Sequence, residues 1–224
     1  MEELIRSLEA KGYSQFARYG FRELILPLRE GLQARNIYQR LLFLFFFLGC
    51  IAAVAGATYW IAKGQLTVPA FFGWLLLGIP TTFLLVPLHE MIHGWMFRWY
   101  GARDVRYGVI WRYLMFYAVA HAFVINYRQF RYIAMAPFVV ISGLSAVVFF
   151  FVPVEGKALL LGLYTFHTLC CAGDFGLCGY FYIYRHQSPV SFDDANTGVS
   201  YFYAIQDTNY PVYPVNNTSD VENP

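Results

Sequence analysis

Charge is what this chain has least of. Asp, Glu, Lys and Arg make up 13% of its 224 residues, about half the share found in an ordinary soluble domain. Hydrophobic residues make up 58%, and the mean hydropathy is +0.44. Such a composition belongs to an integral membrane protein, with the lipid bilayer as its first partner. The formal net charge of +2 is too small to hold a polyanion, so no nucleic-acid partner is expected. Cysteine is also thin. Cys50, Cys170, Cys171 and Cys178 fall in apolar segments without a C-x-x-C pair, so no secreted disulfide framework is expected. They read as small apolar helix residues, with a thiolate metal ligand from the 170–178 cluster as the alternative. No cleavable leader is expected either. The first apolar stretch begins near residue 41, behind forty mostly polar and aromatic residues, and reads as a retained anchor.

Long apolar runs are what the chain does have. Four stretches, residues 41–61, 68–96, 130–152 and 158–184, each approach or exceed the roughly 20 residues a helix needs to cross the hydrocarbon. Pro80 and Pro87 should kink the second. Residues 105–125 are apolar, aromatic and rich in β-formers, interrupted by Gly108 and by Arg106 and Arg112. They predict a small β hairpin or re-entrant element between spans two and three, not a fifth span. The fold class expected is therefore all-α integral membrane, with four transmembrane helices and that β element. Residues 1–40 form an N-terminal flank, 41–186 the four-span core, and 187–224 a polar tail whose last dozen or so residues are expected to be disordered. In the flank, Phe16, Tyr19, Phe21 and Leu24 lie among arginines. A helix resting on an anionic lipid surface and a simple topogenic flank are both compatible with that pattern. Basic residues crowd the flank and the loop after span two, whereas Lys63 and Lys157 are the basic residues of the other two loops. The positive-inside rule then places both termini in the cytoplasm.

Inside the second span stands His89-Glu90-Met91-Ile92-His93. Histidines four apart share a helix face and can reach one zinc ion, while the glutamate beside the first can act as general base. Ionisable groups in a span are costly and usually mark function. A catalytic zinc wants a third protein ligand. The fourth span carries one aspartate, Asp174, between Gly173 and Gly176, which would let another helix approach closely. Asp174 is the expected third ligand. His167, seven residues earlier on the same face, and His121 in the central loop are candidates for substrate contact, for orienting a ligand, or for binding the metal themselves. Glu90 is the expected base for zinc-activated water.

The run from His89 to Gly94, the Ala136-Pro137 segment in the third span and Gly173-Asp174 in the fourth resemble the zincin peptidase family DUF3267. That family is in turn similar to the site-2 protease-type intramembrane zinc metalloproteases. The resemblance spans roughly residues 85–205. It implies hydrolysis of peptide bonds in or near transmembrane segments, with one Zn2+ per chain on His89, His93 and Asp174 and with Glu90 as base. It also implies that the central loop receives a membrane protein or peptide substrate as an added strand. The chain departs from site-2 proteases in the fourth span. It has His167 where an asparagine is usual, and Gly-Asp-Phe-Gly in place of Leu-Asp-Gly. The rival reading is a non-catalytic zinc-binding membrane scaffold or metal-handling protein. Oligomeric state is not legible from these residues.

Overall fold

The computed structural model describes residues 1–111 and 115–205. Its frame is a set of helices whose residues are apolar on every side. Helix α3 (Ile37–Ala62) and helix α4 (Val68–Trp99) run out and back, followed by α5 (Tyr127–Phe149) and the pair α6 (Val154–Cys170) and α7 (Ala172–Ile183). Four segments are long and apolar enough to cross a membrane, with α6 and α7 counted together as 154–183. This bears out the four expected spans. Their outer faces leave Leu44, Val54, Leu84 and Leu144 exposed, as suits side chains bathed in lipid.

The helix ends follow the sequence. Asn36 Oδ1 accepts from the N–H groups of Tyr38 and Gln39 at the start of α3. Asn126 and Gln129 form a capping box at the start of α5. Helix α4 continues without interruption through Pro80 and Pro87, whose missing N–H groups are tolerated in a span. Nearby, the Thr81 and Thr82 hydroxyls donate to the carbonyls of Leu77 and Gly78. The expected fourth span is interrupted once, at Cys171, between α6 and α7.

Small residues set the register between helices. A Cβ on Gly78 of α4 would collide with the backbone of Gly162 and Leu163 in α6, and one on Gly162 would strike the Leu75 carbonyl. Backbones in such contact permit close helix packing in lipid. Because α4 and α6 both start from the same end of the bundle, they run parallel. His89 and Asp174 each lie about three turns further along from this glycine contact, so they arrive at the same depth. A second close approach holds α7. A Cβ on Gly31 of α2 (Ile25–Gln33) would meet the Gly176 carbonyl and the Tyr180 N–H.

The expected β element is present. Strands β2 (Val105–Ile110) and β3 (Met115–Ala120) pair antiparallel between spans two and three. A second sheet was not anticipated. Strand β1 (Tyr13–Gly20) from the N-terminal flank pairs with β6 (Val199–Ile205), which pairs with β5 (Val190–Asp194), which pairs with the short β4 (Ile125–Asn126). Phe16 and Tyr19 are therefore strand residues, not part of a lipid-surface helix. Tyr19 packs with Tyr180, Phe181 and Phe202, and Phe16 lies against the same group. The flank's helices are α1 (Glu2–Glu9) and α2. Residues 190–205, expected within the polar tail, form the hairpin at the centre of this sheet. The last dozen residues, for which disorder was expected, lie outside the described residues.

Candidate metal centre

His89 and His93 fall one helical turn apart on the face of α4 that looks at α5, α6 and α7. Both are buried, at 9% and 8% exposure. Their Nε2 atoms lie 3.1 Å apart. The Asp174 carboxylate bridges the pair from α7, with Oδ2 3.2 Å from His89 Nε2 and Oδ1 3.2 Å from His93 Nε2. Two residues from the second span and one from the fourth thus converge.

The outer ring nitrogens decide what the convergence means. His93 Nδ1 lies 3.0 Å from the Ile133 carbonyl of α5. A carbonyl only accepts, so Nδ1 carries the proton and the neutral ring presents a bare Nε2. His89 Nδ1 lies 3.2 Å from His167 Nε2. When His89 donates there, its own Nε2 is bare as well. Two bare nitrogens and a carboxylate then point at one another with no hydrogen among them. That arrangement is repulsive unless a metal cation sits in the middle or a ring takes up a proton toward Asp174. The 3.1 Å between the two Nε2 atoms is close to the roughly 3.3 Å edge of a tetrahedron built on zinc–ligand bonds of ~2.0–2.1 Å, and each Asp174 oxygen lies 3.2 Å from one of the two nitrogens. The donor set of two imidazoles and one carboxylate also suits zinc. The residues present therefore fit the metal.

The surrounding contacts place the other candidates. His167, 2% exposed in α6, stands behind His89 as a hydrogen-bond partner of its outer nitrogen. It has Cys171 Sγ 3.7 Å from its Nε2. His89, His167 and Cys171 form one possible donor group, and His89, Glu90 and His93 form another. Glu90, on the turn between the two histidines, is half-buried, and its carboxylate faces the Ala118 backbone of β3. The hairpin thus lies directly against the glutamate.

His121 is not brought to this cluster. Its Nδ1 accepts from the Ala195 N–H at 3.2 Å, and lies 3.6 Å from Asp194 Oδ1. It forms a bridge with Asp193 at the end of β3. There it ties the hairpin to the β5–β6 turn, helped by Arg106, which pairs with Asp104 and donates to Asn196 Oδ1. Burial pushes the neighbouring Asp193 carboxyl up to about 6, against a lowering hydrogen bond from Ser200. Sequence reasoning did not find the roles of Ile133 and Ala118. Both act through their backbones, which the side-chain pattern does not disclose.

Residues 82–189 match the family DUF3267, described as "Putative zincin peptidase". No curated protein and no solved structure matches the chain. The matched segment contains His89, Glu90, His93, Pro137, His167 and Asp174.

Proposed function

We propose that this protein is an intramembrane zinc metallopeptidase of site-2 protease type, with His89, His93 and Asp174 as metal ligands and Glu90 as general base. One observation carries the reading. Two imidazole nitrogens and a carboxylate from two spans converge within 3.2 Å, beside a glutamate that faces the β2–β3 hairpin. The similarity to zincin peptidases over this segment supports hydrolysis as the chemistry.

Zinc bound there would polarise a peptide carbonyl and make water at the site acidic near neutral pH. His93 is held by Ile133 and His89 by His167, so both rings are oriented before any metal arrives. Asp174 supplies the negative charge that offsets a dication in an apolar span. Glu90 takes the proton of the attacking water on its carboxylate and returns it to the leaving amine nitrogen. The hairpin β2–β3 beside Glu90 offers backbone groups to an unwound substrate segment, which would add as an extended strand. The substrate class is a transmembrane or membrane-proximal peptide segment. The site lies in the half of the bundle nearest the α4 C-terminus, the end bearing most arginines. The reading therefore places it toward the cytoplasm.

Glu90→Gln tests the assignment. The variant should bind zinc as the wild type does and lose cleavage of a membrane-tethered peptide by about 10²–10⁴-fold. Wild-type cleavage by the variant would remove Glu90 as base. Full zinc occupancy in both proteins, with cleavage by neither, would favour the non-catalytic scaffold.

A further inference from the structure

Pro137 lies in α5 four residues beyond Ile133. In an uninterrupted α-helix the carbonyl of residue 133 accepts from the N–H of residue 137. Proline has no N–H, so the Ile133 carbonyl lacks its helical donor. It sits deep in a span, with Ile133 2% exposed and Pro137 fully buried, where a carbonyl without a partner is costly. The group that fills the vacancy is His93 Nδ1, at 3.0 Å.

We infer that Pro137 is a positioning residue for the metal centre: by withholding the helical donor, it dedicates the Ile133 carbonyl to His93 and so holds the Nδ1–H tautomer with Nε2 free for the metal. This rests on the zinc reading above. A helical N–H at position 137 would share the same carbonyl, and the bond that fixes the His93 ring and its proton would weaken.

Pro137→Ala restores that N–H. Zinc affinity should fall by about 10–100-fold, the usual effect of losing an outer partner of a ligating histidine. Thermal stability of the metal-free protein should hold or rise, because the helix regains a hydrogen bond. A merely structural proline would show the opposite pattern, with lower metal-free stability and unchanged zinc affinity. A backbone ester at position 137 (the hydroxy-acid analogue of alanine) again lacks the N–H and should recover most of the affinity. Equal zinc binding by wild type and Pro137→Ala overturns the inference, as does failure of the ester to rescue. A wild type that binds no zinc overturns the metal reading instead. If the alanine variant does not fold, the ester variant alone decides, since wild-type affinity is expected of it and a large loss contradicts the inference.

A separate observation concerns the opposite side of α7. A cleft of about 880 Å³ opens where α2, the start of α3 and the end of α7 meet, lined by Glu30, Arg35, Asn36, Arg40, Tyr182 and Arg185 among others. Among the described residues, Arg35 and Arg40 have no ion-pair partner. The Arg185 guanidinium lies over the Tyr182 ring at 3.9 Å. The cleft is preformed. Arg35 takes a left-handed φ of 46°, and buried Asn36 donates to the Gly31 carbonyl while capping α3. Ile37 is the first residue of one span and Ile183 the last of another, so the cleft sits at the membrane boundary. From it, Ile37, Leu44, Leu48 and Ile51, all exposed, descend one face of α3 at helical spacing.

We propose that this cleft seats the phosphate of an anionic glycerophospholipid, with the acyl chains along that aliphatic stripe. The stripe is what distinguishes a lipid from free phosphate. In native mass spectrometry from detergent, the wild type should retain phosphatidylglycerol in preference to phosphatidylcholine. Joint Arg35→Gln, Arg40→Gln and Arg185→Gln should weaken retention by roughly a hundredfold, at about fivefold per arginine. Arg103→Gln, an exposed arginine outside the cleft, should change nothing. Single Arg40→Gln, on an exposed side chain, gives the same answer at smaller amplitude if the triple variant fails to fold. Unchanged retention in the cleft variants refutes the site, as does an equal loss in Arg103→Gln. Displacement of the lipid by inorganic phosphate at comparable concentration assigns the cleft to the free anion and refutes the lipid.

Discussion

In the proposed function four side chains carry the chemistry, and they stand out in the sequence because each is expensive where it sits. His89, Glu90, His93 and Asp174 are ionisable groups in apolar spans, and the spacing of the first three already implied one helix face. His167 was harder to place. Its sequence position allowed a ligand, a substrate contact or a hydrogen-bond partner, and its distance to the outer nitrogen of His89 suits the last, the role the proposed function gives it. His167→Ala should therefore weaken zinc binding by about 10–100-fold without abolishing it, as read by competition with a chromogenic chelator. Total loss of zinc would make it a ligand. His121 was equally plausible in the sequence and lies elsewhere. Its partners, Ala195 and Asp194, stand more than seventy positions away along the chain, and no local pattern marks so distant a contact.

The helices owe their placement to glycines more than to their apolar side chains. Lipid tails are as apolar as leucine, so burial alone does not specify which helix faces which. Gly78 and Gly162 make the choice by letting α4 and α6 touch backbone to backbone, which brings His89 level with Asp174. Gly162→Leu should destabilise the protein by about 1–3 kcal/mol or more, measured as a lower unfolding temperature, and should reduce zinc content in whatever protein still folds. A variant of wild-type stability and zinc content would mean that another contact sets the register. The spans and the hairpin were legible from their length, their apolar runs and their β-forming composition. The four-stranded sheet was not. Strand β1 alternates only loosely, with a register shift between Gln15 and Ala17, and its partner β6 lies nearly the whole chain away. Pairing of that kind depends on tertiary context that short-range periodicity does not contain.

The whole molecule joins a four-span core to a sheet that gathers both ends of the described chain. Strand β1 from the N-terminal flank is one edge of the sheet, paired with β6, and the short β4 at the other edge leads directly into α5. The sheet and the hairpin therefore occupy the same end of the bundle as the metal centre. If the arginine-rich end faces the cytoplasm, as the positive-inside rule directs, a reporter fused beyond residue 205 should report from the cytoplasm. An external signal would reverse the orientation and the proposed access of substrate. The proposed function requires a cation among His89, His93 and Asp174, and metal analysis of the purified, folded protein tests this most directly. The expected result is one zinc per chain, removed by chelation, restored on adding Zn2+, and lost in His93→Ala and in Asp174→Ala. A folded wild type that carries no zinc and takes up none, or an Asp174→Ala variant with full zinc content, would contradict it.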